Sequence, residues 1–354
     1  MASLSAYGLA AATLLAAGLA GALLPAPAFA EAQARRLFIS GHSLTDRPMP
    51  DMMASIAAQA GRPLAWQRQH IGGSTIKRRS QGDEGTPPGS GYAAGLDRDG
   101  KPIDMAAAFG TGPGYEVLLI TEWHRVLDAI DREDTVRHLR AVHDRFIASN
   151  PAGTTYFYAP WADLSDRAAP QAWIDYERGA SRVWQCVVRR ANDGLVRESR
   201  KDAIRFVPAS LALAELVADL TSDGGKPGFE GLKPGEIVAL LFSDKVHLTE
   251  TGNYFMALVT YASLFGGEIA EAWAPAWLDP ARAATLRTAA ARFLSGRAVA
   301  DTLPPGADCA TITRDFIPAY TAYMRDAYVL AEAGYFRASI RRLRETLRLM
   351  WRLP

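Results

Sequence analysis

Arg36-Leu37-Phe38-Ile39-Ser40-Gly41-His42-Ser43-Leu44-Thr45-Asp46 carries the sequence's first strong structural signal. It begins as a short apolar run and enters Gly41, the pattern of a buried strand running into a tight turn. Ser43 then sits at the tip of that turn, with its hydroxyl and its own N–H at the carboxyl end of a first strand. Serines after strands also cap helices, so the segment alone leaves a cap and a nucleophile both open.

The alternation continues outward. Residues 49–60 carry Met52, Met53, Ile56 and Ala57 at helical spacing and stop at Gly61-Arg62-Pro63. Further strands are expected at 64–69, 116–121, 154–159 and 204–207, and helices at 132–149, 170–200, 209–220 and 249–265. Gly266-Gly267 ends the last of these. Residues 85–91 hold five glycines or prolines and read as a loop. A Gly/Lys/Pro-rich loop is expected at 223–235. Five short strands alternating with helices predict an α/β fold, a parallel sheet covered on both faces. Ligand sites in such sheets lie beyond the carboxyl ends of the strands, so residues that carry chemistry should follow strands. From 268 to 354 no strand is evident. Helical stretches near 279–296 and 325–350, broken by Pro304-Pro305-Gly306, predict a helical extension, either packed on the sheet domain (31–267) or forming a small unit of its own.

Composition narrows the function classes. The chain has 354 residues, 49% hydrophobic and 22% charged, which is ordinary for a globular protein. Its 39 basic residues balance 38 acidic ones, which argues against nucleic acid as a partner. Two cysteines, Cys186 and Cys309, exclude a disulfide-dense scaffold and a four-cysteine zinc site, and leave room for one bridge. Residues 1–30 contain no Asp, Glu, Lys or Arg, and they end Ala28-Phe29-Ala30, the small-x-small form of a signal-peptidase site. The reading is an export signal and a mature chain starting near Glu31 in the periplasm or outside the cell, where a disulfide persists. An uncleaved anchor is disfavoured, because the apolar core from Leu9 to Leu24 is short for a span and closes at Pro25 and Pro27. The C-terminal segment from Ile340 is amphipathic and basic. It reads first as a surface helix packing its leucine face, with contact to a membrane surface or an anionic polymer as the alternative.

Asp244-Lys245-Val246-His247 opens the helix at 249–265. A carboxylate three residues before an imidazole can accept from Nδ1–H, fix the tautomer and leave Nε2 to take a proton from a serine. The two segments together resemble SGNH (GDSL-type) hydrolases. Gly41-His42-Ser43-Leu44-Thr45-Asp46 is similar to that family's first block and Asp244-x-x-His247-Leu248-x-x-x-Gly252 to its last. Ile71-Gly72-Gly73-Ser74-Thr75 resembles the second block, whose glycine N–H helps form an oxyanion hole, a role carried to Gly73 with Gly72 as the alternative. The resemblance spans about residues 36–266. It implies a three-layer flavodoxin-like fold with a five-stranded parallel sheet, catalysis by Ser43, His247 and Asp244, an oxyanion hole from the Ser43 and Gly73 amides, and no metal or cofactor.

The third block departs from the family. Where Gly-x-Asn-Asp is usual, this chain has Thr121-Glu122-Trp123-His124, so it resembles a divergent subset with Gly-His-Ser and Thr-Glu at these places. An ionised Glu122 only accepts hydrogen bonds, and the lost Asn donor would be worth ~3 kcal/mol in the transition state. Three outcomes are open. Glu122 is held neutral, or it orients another donor, or the hole consists of the two amides alone. Trp123 and His124 are candidate substitutes. His70 and Trp161, which follow strands two and four, are candidate pocket residues, with core packing as the rival reading for each. Asp163 follows Trp161. His138 and His143 lack metal-ligand spacing and are expected on a solvated helix face. The function expected by resemblance is an exported serine esterase acting on an O-acyl, most simply O-acetyl, ester of a carbohydrate or envelope glycan. The alternatives are an O-acyltransferase on the same triad, with the 82–91 loop as a lid against water, a lipid or thioester hydrolase, and a non-catalytic glycan-binding or envelope-assembly protein.

Overall fold

The sheet forms where apolar runs meet glycine or proline punctuation: β1 (Arg35–Gly41), β2 (Leu64–His70), β3 (Val117–Thr121), β4 (Thr154–Tyr158) and β5 (Arg205–Val207). All neighbours are parallel, in the order β2-β1-β3-β4-β5. This is the flavodoxin-like doubly wound arrangement, whose strand order reverses beside β1. In this computed structural model the described residues are 34–81, 89–222, 225–300, 303 and 306–353, with only the backbone of 297–300. The export segment expected at 1–30 and most of the 82–91 loop lie outside them.

Right-handed crossovers place α1 (Met49–Gln59) on one face of the sheet, and α2 (Ile76–Ser80), α3 (Met105–Phe109), α4 (Val126–Glu133), α5 (Thr135–Ser149) and α6 (Gln171–Arg197) on the other. After β5 the chain continues through α7 (Ala209–Thr221), α8 (Pro234–Leu241) and α9 (Glu250–Phe265), and α9 packs on α1. The strand side chains Leu37, Phe38, Leu118, Leu119, Ile120 and Phe157 are almost fully buried, as a sheet covered on both faces requires. The helix expected at 132–149 divides at Asp134, a non-glycine residue in the left-handed region (φ 49°).

The extension consists of α10 (Pro280–Ala300), α11 (Cys309–Met324) and α12 (Leu330–Arg352), with a π turn at Arg325–Val329. It belongs to the same compact unit as the sheet, Gln33–Pro354. The α11 helix lies close on α6: a Cβ on Gly179 would meet Phe316 at 2.5 Å, and Tyr176 stacks on Tyr323 at 4.3 Å. Cys186 of α6 and Cys309 of α11 are disulfide-bonded across 123 residues, with their Cα atoms 5.4 Å apart. Replacing either cysteine with serine should lower unfolding stability by about 2–5 kcal/mol. Denaturant titration checks this, and an unchanged midpoint would contradict it.

Two local expectations are corrected. His138 and His143 are buried, not solvated. His138 Nδ1 lies 3.2 Å from Ser80 Oγ, and His143 Nδ1 lies 2.9 Å from Thr155 Oγ1. The leucines of α12 do not form one packed face. Leu343 and Leu347 are each 60% exposed, while Ala338, Leu349 and Leu353 face inward.

Candidate active site

The β1 turn presents Ser43. A Cβ on Gly41 would lie 2.0 Å from Thr45 Oγ1, so glycine is what lets the 3-10 turn Ser43–Thr45 fold back over the strand end. His42 locks this turn to β3. Its Nε2 donates to the Glu122 carbonyl at 2.9 Å, and its Nδ1 accepts from the Leu44 N–H at 3.4 Å. Burial, reinforced by the Arg79 charge, lowers the His42 imidazole to about 3.

The loop between α8 and α9 presents Asp244 and His247. A Phe242–Leu248 bridge closes it, and the Thr249 hydroxyl caps α9. A Cβ on Gly252 would sit 2.3 Å from the Leu241 carbonyl, so the glycine of that block is a packing requirement. Asp244 Oδ1 accepts from the amides of Val246 (2.8 Å) and His247 (2.7 Å), an Asx turn. Its Oδ2 lies 2.6 Å from His247 Nδ1, and His247 Nε2 lies 2.9 Å from Ser43 Oγ. Partial burial opposes ionisation of Asp244, but the His247 ring and the two amides outweigh it and hold the carboxyl at about 2. The ionised carboxylate fixes the proton on Nδ1 and leaves the Nε2 lone pair to the serine hydroxyl.

The end of β4 braces this loop from beneath. Trp161 Nε1 donates to the Val246 carbonyl and the Leu164 amide to the Lys245 carbonyl, both at 2.7 Å. Trp161 is 1% exposed, so it packs in the core and holds the histidine loop. It does not border the cleft.

Glu122 faces inward. Its Oε1 accepts from the amides of Trp123 (2.7 Å) and Ile76 (3.1 Å), and its Oε2 lies 3.0 Å from Thr135 Oγ1. Thr135 also donates to the Ala129 carbonyl at 2.9 Å. A hydroxyl has one hydrogen, so when Ala129 takes it, a proton on Glu122 completes the contact. Burial raises this carboxyl to about 7, against the pull of Arg79 and the three hydrogen bonds. Glu122 thus ties the start of α2, and with it the Gly72-Gly73 turn, to the end of β3. Gly73 has φ 59°, in the left-handed region. Among the described residues, the amides of Ser43, Gly72 and Gly73 donate to no other protein group.

Three residues of this neighbourhood carry no signal in the sequence. Arg79 is fully buried. It reaches Ser40 Oγ (3.0 Å), Ser74 Oγ (2.7 Å) and the Thr121 carbonyl, joining β1, β3 and the glycine turn. Tyr328 comes from the extension. Its ring stacks on His124 (6.2 Å between centroids), and its hydroxyl accepts from the Asp163 amide at 2.9 Å. Arg125 lies over the rings of Trp123 (5.1 Å) and Tyr328 (4.2 Å). His124 Nε2 is 3.6 Å from Asp163 Oδ1, and burial lowers its imidazole despite that carboxylate. His70, at the end of β2, sits 3.4 Å from Asp46 Oδ2, and burial lowers it to about 4. Among the described residues no cluster of His, Cys, Asp or Glu is arranged to hold a metal ion.

The buried groups set a pH optimum for stability. Burial raises Glu122 to about 7 and Glu177 to about 8. Their stabilisation is complete below the unfolded carboxyl value of about 4.3 and is lost as pH rises through 7–8. His42, His70 and His124, all lowered by burial, act in the opposite sense. They stay neutral in the fold while the unfolded chain protonates them below about 6.5, so stability falls as pH drops. His138 and His143 are lowered too and add to this. The imidazoles dominate below about 6.5 and the carboxyls titrate alone above it. Tm should therefore peak near pH 6.5. A Tm rising steadily from about pH 5 to 8.5 would contradict the assignment.

Neither a family model nor a curated protein matches the chain. Among solved structures it is similar to a DUF4886 family protein from Bacteroides uniformis ATCC 8492, with a TM-score of 0.51 and 14% identity over 76% of this chain and 96% of that one. At that identity the likeness is one of fold, an α/β domain built on a parallel sheet.

Proposed function

We propose that the chain is an exported serine esterase of the SGNH type that removes an O-acyl group, most simply acetyl, from a carbohydrate or cell-envelope glycan. The observation that carries this reading is the continuous relay Ser43 Oγ–His247 Nε2 (2.9 Å) and His247 Nδ1–Asp244 Oδ2 (2.6 Å), assembled at the strand ends where the order reverses. Ser43 Oγ attacks the ester carbonyl as His247 Nε2 takes its proton. Asp244 stabilises the imidazolium. The free amides of Ser43 and Gly73 receive the oxyanion, and Glu122 holds the turn that carries Gly73. His247 returns the proton to the leaving alcohol. Water, deprotonated in turn by His247, then resolves the acyl-enzyme to the free acid.

The wall formed by Trp123, His124 and Tyr328 offers aromatic faces of the kind sugar rings stack on. Arg125 adds a guanidinium with no ion-pair partner among the described residues. The charge-free segment 1–30 and the disulfide support export. A panel of esters, including O-acetylated glycans, tests the function. Release of acetate from acetylated glycan by the wild type and not by Ser43→Ala is expected. Equal turnover of every ester by both proteins would overturn the reading.

A further inference from the structure

The outer face of α12 is unpartnered. Among the described residues there are ten exposed large hydrophobic side chains, and seven of them lie on this helix: Tyr335, Phe336, Ile340, Leu343, Leu347, Met350 and Trp351. Phe336 is 75% exposed and Trp351 86%. The non-helical Gly334 (φ 71°) separates this stretch from the turn before it, so the working helix begins at Tyr335. At ~100° per residue, Met350, Leu343, Phe336, Leu347, Ile340 and Trp351 fall within an arc of about 100°. Arg344, Arg337, Arg348, Arg341 and Arg352 fill the adjoining arc of about 80°. The remaining arc, with Ala338, Leu349 and Leu353, packs on the protein.

The arginine arc has charge to spare. Arg348 pairs with Asp128, Asp131 and Glu345, and Arg352 pairs with Asp131. Arg337, Arg341 and Arg344 have no ion pair among the described residues. An apolar stripe containing Trp, Phe and Leu beside a row of free arginines is the pattern of a helix lying in a membrane interface. A second copy is a poorer occupant, because it would bring the same arginine row and no acidic row to meet it. No helix among the described residues is long and apolar enough to cross a membrane, so the helix would lie in the plane of the interface.

We infer that α12 docks the protein on an anionic phospholipid surface, with the apolar stripe inserted among the acyl chains and Arg337, Arg341 and Arg344 on the headgroups. This rests on α12 alone and is independent of the chemistry at Ser43. The test is flotation of the compact unit, expressed from Glu31 onward, with phosphatidylglycerol/phosphatidylcholine vesicles and with phosphatidylcholine vesicles. Binding to the former is expected, weaker binding to the latter, and release by added salt. Leu343→Ser/Leu347→Ser should abolish binding with the fold intact by circular dichroism, since both side chains are exposed. Arg337→Gln/Arg341→Gln/Arg344→Gln should weaken it on the order of 100-fold. Absence of binding to phosphatidylglycerol vesicles overturns the proposal. So does a dimer, seen by light scattering, that Leu343→Ser/Leu347→Ser dissolves while vesicle binding is unchanged.

Discussion

Ser43→Ala should reduce kcat/KM on the responsive ester by about 10⁴- to 10⁶-fold, the scale seen when a triad nucleophile is removed. His247→Ala should fall in the same range, because Nε2 accepts the serine proton at 2.9 Å. The double variant should be no worse than either single one, since the two groups act as a unit. Asp244→Asn should cost about 10⁴-fold. Its carbonyl stays on the Val246 and His247 amides, which puts the NH2 in the 2.6 Å contact; an NH2 donates and cannot accept from Nδ1–H, so it favours the wrong tautomer. None of these changes should move Tm by much, since Ser43 and Asp244 are exposed and His247 is half-exposed. Steady-state kinetics beside thermal melts checks the set, and a single variant that loses activity by unfolding would weaken the assignment.

Glu122→Ala should cost about 3–5 kcal/mol of stability. It strands the amides of Ile76 and Trp123 and leaves the buried Arg79 guanidinium without its nearby carboxylate. Glu122→Gln is the sharper comparison. Its carbonyl can accept from both amides, and its NH2 can donate to Thr135 Oγ1 as a protonated carboxyl would. If Glu122 is neutral in the fold, Gln should recover most of the loss and flatten the fall in stability between pH 6.5 and 8. Denaturant melts of the three proteins across that range check this, and a Gln variant as unstable as Ala would show that the carboxylate charge is required.

β1 and β4 are legible as short apolar runs that meet Gly41 or Pro160, β3 as the continuous run Val117–Ile120, and the Ser43, Asp244 and His247 cluster because two brief blocks carry it in chain order. What could not be read depends on partners distant in sequence. Arg78 and Arg79 look alike, yet only Arg79 is buried, because Ser40 and Thr121 on two other strands supply its acceptors. His138 and His143 read as solvated for the same reason, since Ser80, Thr155 and Asp202 come from elsewhere. Helix α11 carries no clear helical signal because Pro318 lies inside it, and Tyr328, within the expected stretch near 325–350, meets the site through His124 and Asp163, which are distant in sequence. Helix α8 was partly absorbed into the expected loop at 223–235, because its first residues are Pro234-Gly235. The third block shows by its sequence that it has no Asn, but the inward turn of Glu122 depends on Thr135, which belongs to another helix.

The central claim is that Ser43 is a nucleophile activated by His247. Treatment with a fluorophosphonate, followed by peptide mass mapping, tests it most directly. One phosphonyl adduct is expected, located on Ser43, absent in Ser43→Ala and strongly slowed in His247→Ala. Equal labelling of the wild type and Ser43→Ala would contradict it.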